Sequence, residues 1–220
     1  MDTALAVRIL ITAAVTVFIV RQVSALMKKK FIRLITTPLI TYFICGLAVA
    51  GVYTYGSGRD WLIPAALGLS LIADAVLMVE ADDLFTHGLL FFLATHICYN
   101  IAFSAGYTFI SADILCGLIL LSLMAFLVWK FRSGGKLGNM MLPVIVYITA
   151  LSLIVFFSVN GYMRSGDTSH ALTMCGAILF YISDAILGWA QFVKYFRLAT
   201  FYVWLFYAPG QFLIALSLFY

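Results

Sequence analysis

Two carboxylates stand where only hydrocarbon would be expected. Asp74 lies in Ala73-Asp74-Ala75-Val76-Leu77 and Asp184 in Ser183-Asp184-Ala185-Ile186-Leu187, each inside an apolar run without Lys or Arg. A charge in the middle of a membrane helix costs ~2.5–3.5 kcal/mol on insertion scales, so such residues face the protein interior and mark function more often than accident. The plainer reading is a polar contact that holds helices together. Two carboxyls sharing one apolar pocket would not both ionise at neutral pH. One proton donor beside one proton acceptor is the pairing that acid/base hydrolysis needs.

Other polar side chains are spaced to serve that pair. His96, Tyr99 and Asn100 fall on or near one helical face. Tyr181 and Ser183 flank Asp184, and Tyr207 and Gln211 are four residues apart on one face. His96 could equally be an interhelical hydrogen bonder. Pro209-Gly210 could be a simple kink or a break whose freed backbone lines a cavity. The three His residues (87, 96 and 170) are dispersed, with no His-x-x-x-His or His-Glu pairing, which makes a poor zinc site. No metal and no cofactor is expected. Gly-x-Gly-Asp, Gly-x-Ser-x-Gly, P-loop and dinucleotide motifs are absent, so an intramembrane aspartyl protease of that pattern, a nucleophile-elbow hydrolase and a nucleotide enzyme find no support.

The elements that would position these residues follow from composition. Of 220 residues, 65% are apolar and 10% charged, with a mean hydropathy of +1.10. Globular domains have about 25% charged residues, so a soluble domain, a disulfide scaffold and a disordered chain are excluded. The four Cys lie inside apolar runs without paired spacing and read as small core residues. The expected fold is an all-α integral membrane protein, one transmembrane helical domain over 1–220. Its eight apolar segments run at about 4–27, 34–55, 61–79, 84–106, 112–130, 140–160, 171–193 and 198–219.

Lys28, Lys29, Lys30, Arg33, Lys130, Arg132, Lys136, Lys194 and Arg197 fall on one side of these segments, against Arg8, Arg59 and Arg164 on the other. The richer side is expected to be cytoplasmic, with both termini opposite, so the net charge of +4 needs no nucleic-acid partner. Lys130, Arg132, Lys194 and Arg197 could hold a lipid phosphate, but topology alone accounts for them. The break between the third and fourth segments, Glu80-Ala81-Asp82-Asp83, is acidic on that same side. Asp74 and Asp184 both fall in the expected cytoplasmic half, at depths differing by roughly 6 Å at 1.5 Å per residue.

The two Asp contexts are 110 residues apart. Pro38-x-x-x-Tyr42 and Pro143-x-x-x-Tyr147 are 105 apart. Two parallel four-helix halves, 1–110 and 111–220, would account for both, and coincidence between short matches would too.

Several of these stretches, in this order, resemble the YhhN family of lysoplasmalogenases. They are Gly68-Leu69-Ser70-Leu71-Ile72-Ala73-Asp74-Ala75-Val76-Leu77, then Phe85, Gly88, Phe92, His96 and Tyr99, then Leu142-Pro143 with Tyr147, then Phe180-Tyr181-Ile182-Ser183-Asp184-Ala185-Ile186-Leu187, and finally Tyr207 with Gln211. The chain departs from the family pattern at Ala73, where Gly is usual before the Asp, and at Thr36-Thr37, where a Lys often precedes the Pro. The second departure leaves any role of that Lys unfilled or moved elsewhere.

The resemblance implies an eight-helix membrane hydrolase acting on lysoplasmalogen, a lysophospholipid with a 1-alkenyl (vinyl) ether. Its products would be a fatty aldehyde and glycerophosphoethanolamine or glycerophosphocholine. In this reading Asp74 and Asp184 are catalytic, while His96, Tyr99, Tyr181, Ser183, Tyr207 and Gln211 orient water or hold the glycerol. Membrane lipids are the other expected partners. A bacterial cytoplasmic membrane and an endoplasmic reticulum are both compatible. Without the resemblance, a proton-coupled lipid or small-molecule transporter accounts for the same residues nearly as well, and a hydrolase of another lipid bond is a third reading.

Overall fold

The structure, a computed structural model, describes residues 3–78 and 82–220, the side chains of 82 and 83 excepted. The acidic break at 80–83 therefore lies outside the described residues, apart from the backbone of Asp82 and Asp83. Among the described residues eight α-helices form: α1 (Thr3–Leu26), α2 (Lys30–Tyr55), α3 (Leu62–Met78), α4 (Asp82–Phe103), α5 (Ala112–Ser133), α6 (Met141–Ser165), α7 (Thr168–Phe192) and α8 (Ala199–Leu216). Each, counted with its short 3₁₀ extension where it has one, is long and apolar enough to cross a membrane. The described residues include no strand. The protein is an all-α, multi-pass integral membrane protein.

The ends of the helices depart from the expected segments for local reasons. α4 stops at Phe103 rather than 106 because the chain turns through Gly106 at φ 65, a left-handed conformation that costs glycine little. α6 runs on to Ser165 and is closed by Gly166 at φ 66, whose N–H reaches the carbonyl of Tyr162. Asp167 then caps α7 by accepting from the backbone N–H of His170 at 2.8 Å.

Sequential helices pack in chain order in two sets, α1–α2–α3–α4 and α5–α6–α7–α8. The two sets join mainly through α2 against α8 and α4 against α6, and α1 and α3 also touch α8. α1 and α5 are peripheral. α1 shows Leu5, Ile9, Val15, Ile19 and Val23 outward, while its buried residues are Ala14, Arg21, Gln22 and Ser24. That inversion suits a bilayer, where lipid is as apolar as Leu and buried polar groups supply the interhelical contacts.

Close backbone approach sets the α7–α8 crossing. A Cβ on Gly176 would lie 2.7 Å from the Gly210 carbonyl oxygen, and one on Gly210 would lie 2.9 Å from that of Gly176. Pro209-Gly210 therefore sits inside a continuous α8 at its tightest contact, and Tyr207 and Gln211 are turned into the bundle beside it.

Candidate active site

α3 and α7 bring Asp74 and Asp184 to the wall of one cavity of about 240 Å³, which Thr37, Ser183, Trp204 and Tyr207 also line. Each carboxylate is held by a hydroxyl from the helix that precedes its own. Thr41 on α2 donates to Asp74 Oδ2 at 2.5 Å, and Tyr147 on α6 donates to Asp184 Oδ2 at 2.5 Å. Tyr207 on α8 gives Asp74 Oδ2 a second donor at 3.0 Å. These contacts fix both carboxyls on rigid helices, and their remaining oxygens are available to a bound molecule or water.

His96 lies behind Asp184, fully buried. Its Nε2 is 3.7 Å from Asp184 Oδ2, and its ring rests against Tyr147 and Phe180 with centroids 4.6 and 5.3 Å apart. Neither ring nitrogen finds a hydrogen-bond partner among the described residues. Below Asp184 the cavity wall continues into a narrow, almost wholly apolar cleft. The two share Leu77, Phe85, Phe92, Asp184 and Leu187, and Leu127, Phe131, Val144 and Ile148 lie deeper. At the other side, Tyr195 and Thr200 belong both to this cavity and to a vestibule of about 460 Å³ that Lys28, Arg33 and Arg197 line.

The residues singled out from the sequence divide into three groups. Tyr207 and Ser183 line the cavity with the two Asp, and His96 backs one of them. Tyr99 and Gln211 meet each other instead: Tyr99 donates to Gln211 Oε1 at 2.5 Å, and Gln211 Nε2 donates to Ser70 at 3.2 Å. Ser70 in turn pairs with Thr95, which bonds the Ala66 carbonyl. This chain ties α3, α4 and α8 together one layer away from the cavity. Tyr181 is buried on α7 but does not line the cavity. Of the four cations considered for a lipid phosphate, Arg197 lines the vestibule, whereas Lys130 lies over the Trp129 ring at 4.5 Å.

Sequence reasoning missed Thr41, assigned no site role to Tyr147, and left out Arg21. Tyr42, paired with Tyr147 by the Pro-x-x-x-Tyr comparison, points outward with 59% of its surface exposed, and Thr41 beside it makes the contact. A one-residue rotation around α2 separates them, and a spacing match cannot resolve that. Arg21 did leave a signal, a cation well inside the first apolar segment, in addition to Arg8 near its start. It is fully buried, donates to Gln22 Oε1 at 2.7 Å and the Thr200 carbonyl at 3.1 Å, and stacks on Trp204 at 4.7 Å. Trp204 packs edge-on against Tyr207, which holds Asp74.

A multi-pass helical membrane protein with two carboxyls facing one cavity among its helices is the class this geometry defines. The chain belongs to the YhhN family, whose pattern matches residues 28–218. It is 29% identical over 178 residues to a lysoplasmalogenase of Mycobacterium bovis, a match covering 79% of this chain and 66% of that protein. It is also 29% identical over 179 residues to the lysoplasmalogenase TMEM86B of Rattus norvegicus, covering 81% and 67%, and 31% identical over 163 residues to that of Sus scrofa, covering 74% and 65%. The matched stretch thus spans about two thirds of the length of these curated relatives. No solved structure matches the chain significantly.

Proposed function

We propose that this protein is a lysoplasmalogenase-type hydrolase that cleaves the vinyl-ether bond of a single-chain glycerophospholipid, with Asp74 and Asp184 as its acid/base pair. The observation that carries the reading is that both carboxyls line one cavity, which opens into an apolar cleft on one side and a basic vestibule on the other. The names of the relatives agree with it.

The chemistry asks for little more. A neutral carboxylic acid delivers a proton to the alkenyl carbon beyond the ether-bearing one, leaving an oxocarbenium ion. The partner carboxylate stabilises that cation and takes a proton from the attacking water, so a hemiacetal forms. The partner then returns its proton to the glycerol oxygen while the first carboxylate takes the hemiacetal hydroxyl proton, so the C–O bond breaks to a fatty aldehyde and the glycerophospho-alcohol with both carboxyls restored. The balance is one water consumed per bond cleaved, and the logic is that of two-carboxylate glycosidases. Tyr207 and Tyr147 orient the carboxyls, Ser183 offers the cavity an unpaired hydroxyl, and the apolar cleft receives the alkenyl chain. The site belongs to the cytoplasmic half, and the two halves, 1–110 and 111–220, are a parallel repeat whose equivalent Asp have taken complementary roles.

The test is product release by the detergent-purified protein from matched 1-alkenyl, 1-alkyl and 1-acyl lysophospholipids, read as fatty aldehyde from the alkenyl lipid, fatty acid from the acyl lipid and the free glycerophospho-alcohol from any of the three. Turnover of the alkenyl lipid alone is expected. Turnover of the acyl lipid with an inert alkenyl lipid would replace this reading with an esterase. Inertness toward all three, with substrate moved across sealed vesicles, would replace it with a carrier.

A further inference from the structure

Resting on that reading, we propose that the vestibule formed by Lys28, Arg33 and Arg197 is a subsite for the anionic phosphodiester of the lipid headgroup, and that Arg21 is the positioning residue that fixes the wall it shares with the catalytic cavity. Three cations, Lys28 from the α1–α2 connection, Arg33 from the first turn of α2 and Arg197 from the α7–α8 connection, converge on one concave space of about 460 Å³. Membrane topology places cations on one side of a bilayer, but it does not require them to line the same cavity. This one adjoins the carboxylate pair through Tyr195 and Thr200. A lysoplasmalogen carries its phosphate across the glycerol backbone from the ether oxygen. An ether seated at Asp74 and Asp184 therefore directs its headgroup to a neighbouring space, and between the apolar cleft and the vestibule it is the vestibule that is cationic.

The donors suit a phosphate. Arginine presents a planar fork matched to phosphate oxygens. Arg33 has a buried Nε without a partner among the described residues. Arg21 lies directly behind the shared wall, one turn before Ala25 of the vestibule, and is fully buried with Nε and Nη2 also unpartnered. Its Nη1 holds the Thr200 carbonyl, and its neighbour Gln22 holds that of Phe201, which anchors the first turn of α8 between vestibule and cavity. Arg21 is close enough to Arg33 and Asp74 for their charges to interact, so it adds positive field where the phosphate would sit and links that site to the catalytic carboxyl.

The decisive comparison uses the full chain in detergent, with an alkenyl lysophospholipid and the phosphate-free 1-alkenylglycerol as substrates. In wild type the phospholipid is expected to have the lower KM. In Arg33→Gln/Arg197→Gln the phospholipid KM should rise about tenfold, with the preference over alkenylglycerol collapsing by the same factor. Arg132→Gln, a cation on another connection, should leave that preference intact. An unchanged preference in the double variant, or an equal loss in Arg132→Gln, would overturn the subsite in favour of general surface charge. A second arm needs no turnover: a non-cleavable 1-alkyl lysophospholipid should stabilise wild type, but not the double variant, in a thermal-shift titration. Inorganic phosphate alone at equal concentration separates a headgroup site from a free-phosphate site, since stabilisation by phosphate without lipid would contradict the headgroup assignment. If wild type releases no aldehyde but this second arm behaves as expected, the hydrolase reading fails and the phosphodiester subsite stands.

Discussion

Asp74 on α3 and Asp184 on α7 have almost the same neighbours in sequence, yet their surroundings differ. Asp74 receives two hydroxyl donors, from Thr41 and Tyr207, and lies within reach of the Arg21 charge on the side that leads to the basic vestibule. Asp184 receives one, from Tyr147, with the unpartnered His96 ring behind it, and borders the apolar cleft. α2–α3 and α6–α7 each set a carboxyl against a hydroxyl of the preceding helix. The other partners of the two carboxyls then break that likeness. Two carboxyls given different environments can hold one proton between them in a defined way, which a symmetric pair could not.

The strongest way to break this comparison is to neutralise each side in turn. Asp74→Asn and Asp184→Asn should each lower aldehyde release by roughly 10²–10⁴-fold while the thermal transition is retained, the range that acid/base groups supply. Full activity in either variant would show that the reaction uses one carboxyl only. Removing a single oriented donor should cost less. Tyr147→Phe and Tyr207→Phe are expected to reduce kcat about ten- to hundredfold, since a hydrogen bond to a charged group is worth ~1.5–3 kcal/mol. Because Asp74 keeps Thr41, the Tyr207 variant should be the milder of the two, and the reverse order in parallel kinetics would invert the asymmetry argued above.

Arg21→Gln bears on the Asp74 side alone. It should lower unfolding stability by about 1.5–3 kcal/mol through loss of the charged hydrogen bonds to Gln22 and Thr200. Denaturation of the detergent-solubilised chain measures it. Tyr99→Phe should have the smallest catalytic effect. It leaves Gln211 short of one donor, so about 1–3 kcal/mol of stability is expected to go with kcat nearly unchanged. A large fall in kcat at unchanged stability would instead bring Tyr99 to the substrate.

The eight helices were legible in the sequence because a bilayer imposes its thickness on every span, and apolar length is a one-dimensional property. The two Asp were legible for the same reason, since a carboxylate in hydrocarbon is conspicuous wherever it faces. What the residues contact was not. Tyr42 and Thr41 are adjacent in sequence, and only helix rotation decides that the threonine meets Asp74 while the tyrosine faces outward. Tyr99 and Gln211 have the composition of site residues, yet they satisfy each other across 112 positions, leaving neither hydrogen-bonded to a site carboxylate. Arg21 reads as an awkward charge in an apolar segment until α8 supplies a carbonyl and Trp204 an aromatic face. Burial cost is fixed by residue type and can be read along the chain. Compensation for that cost depends on which helices pack together and on which faces they turn to one another, and only the tertiary structure decides that.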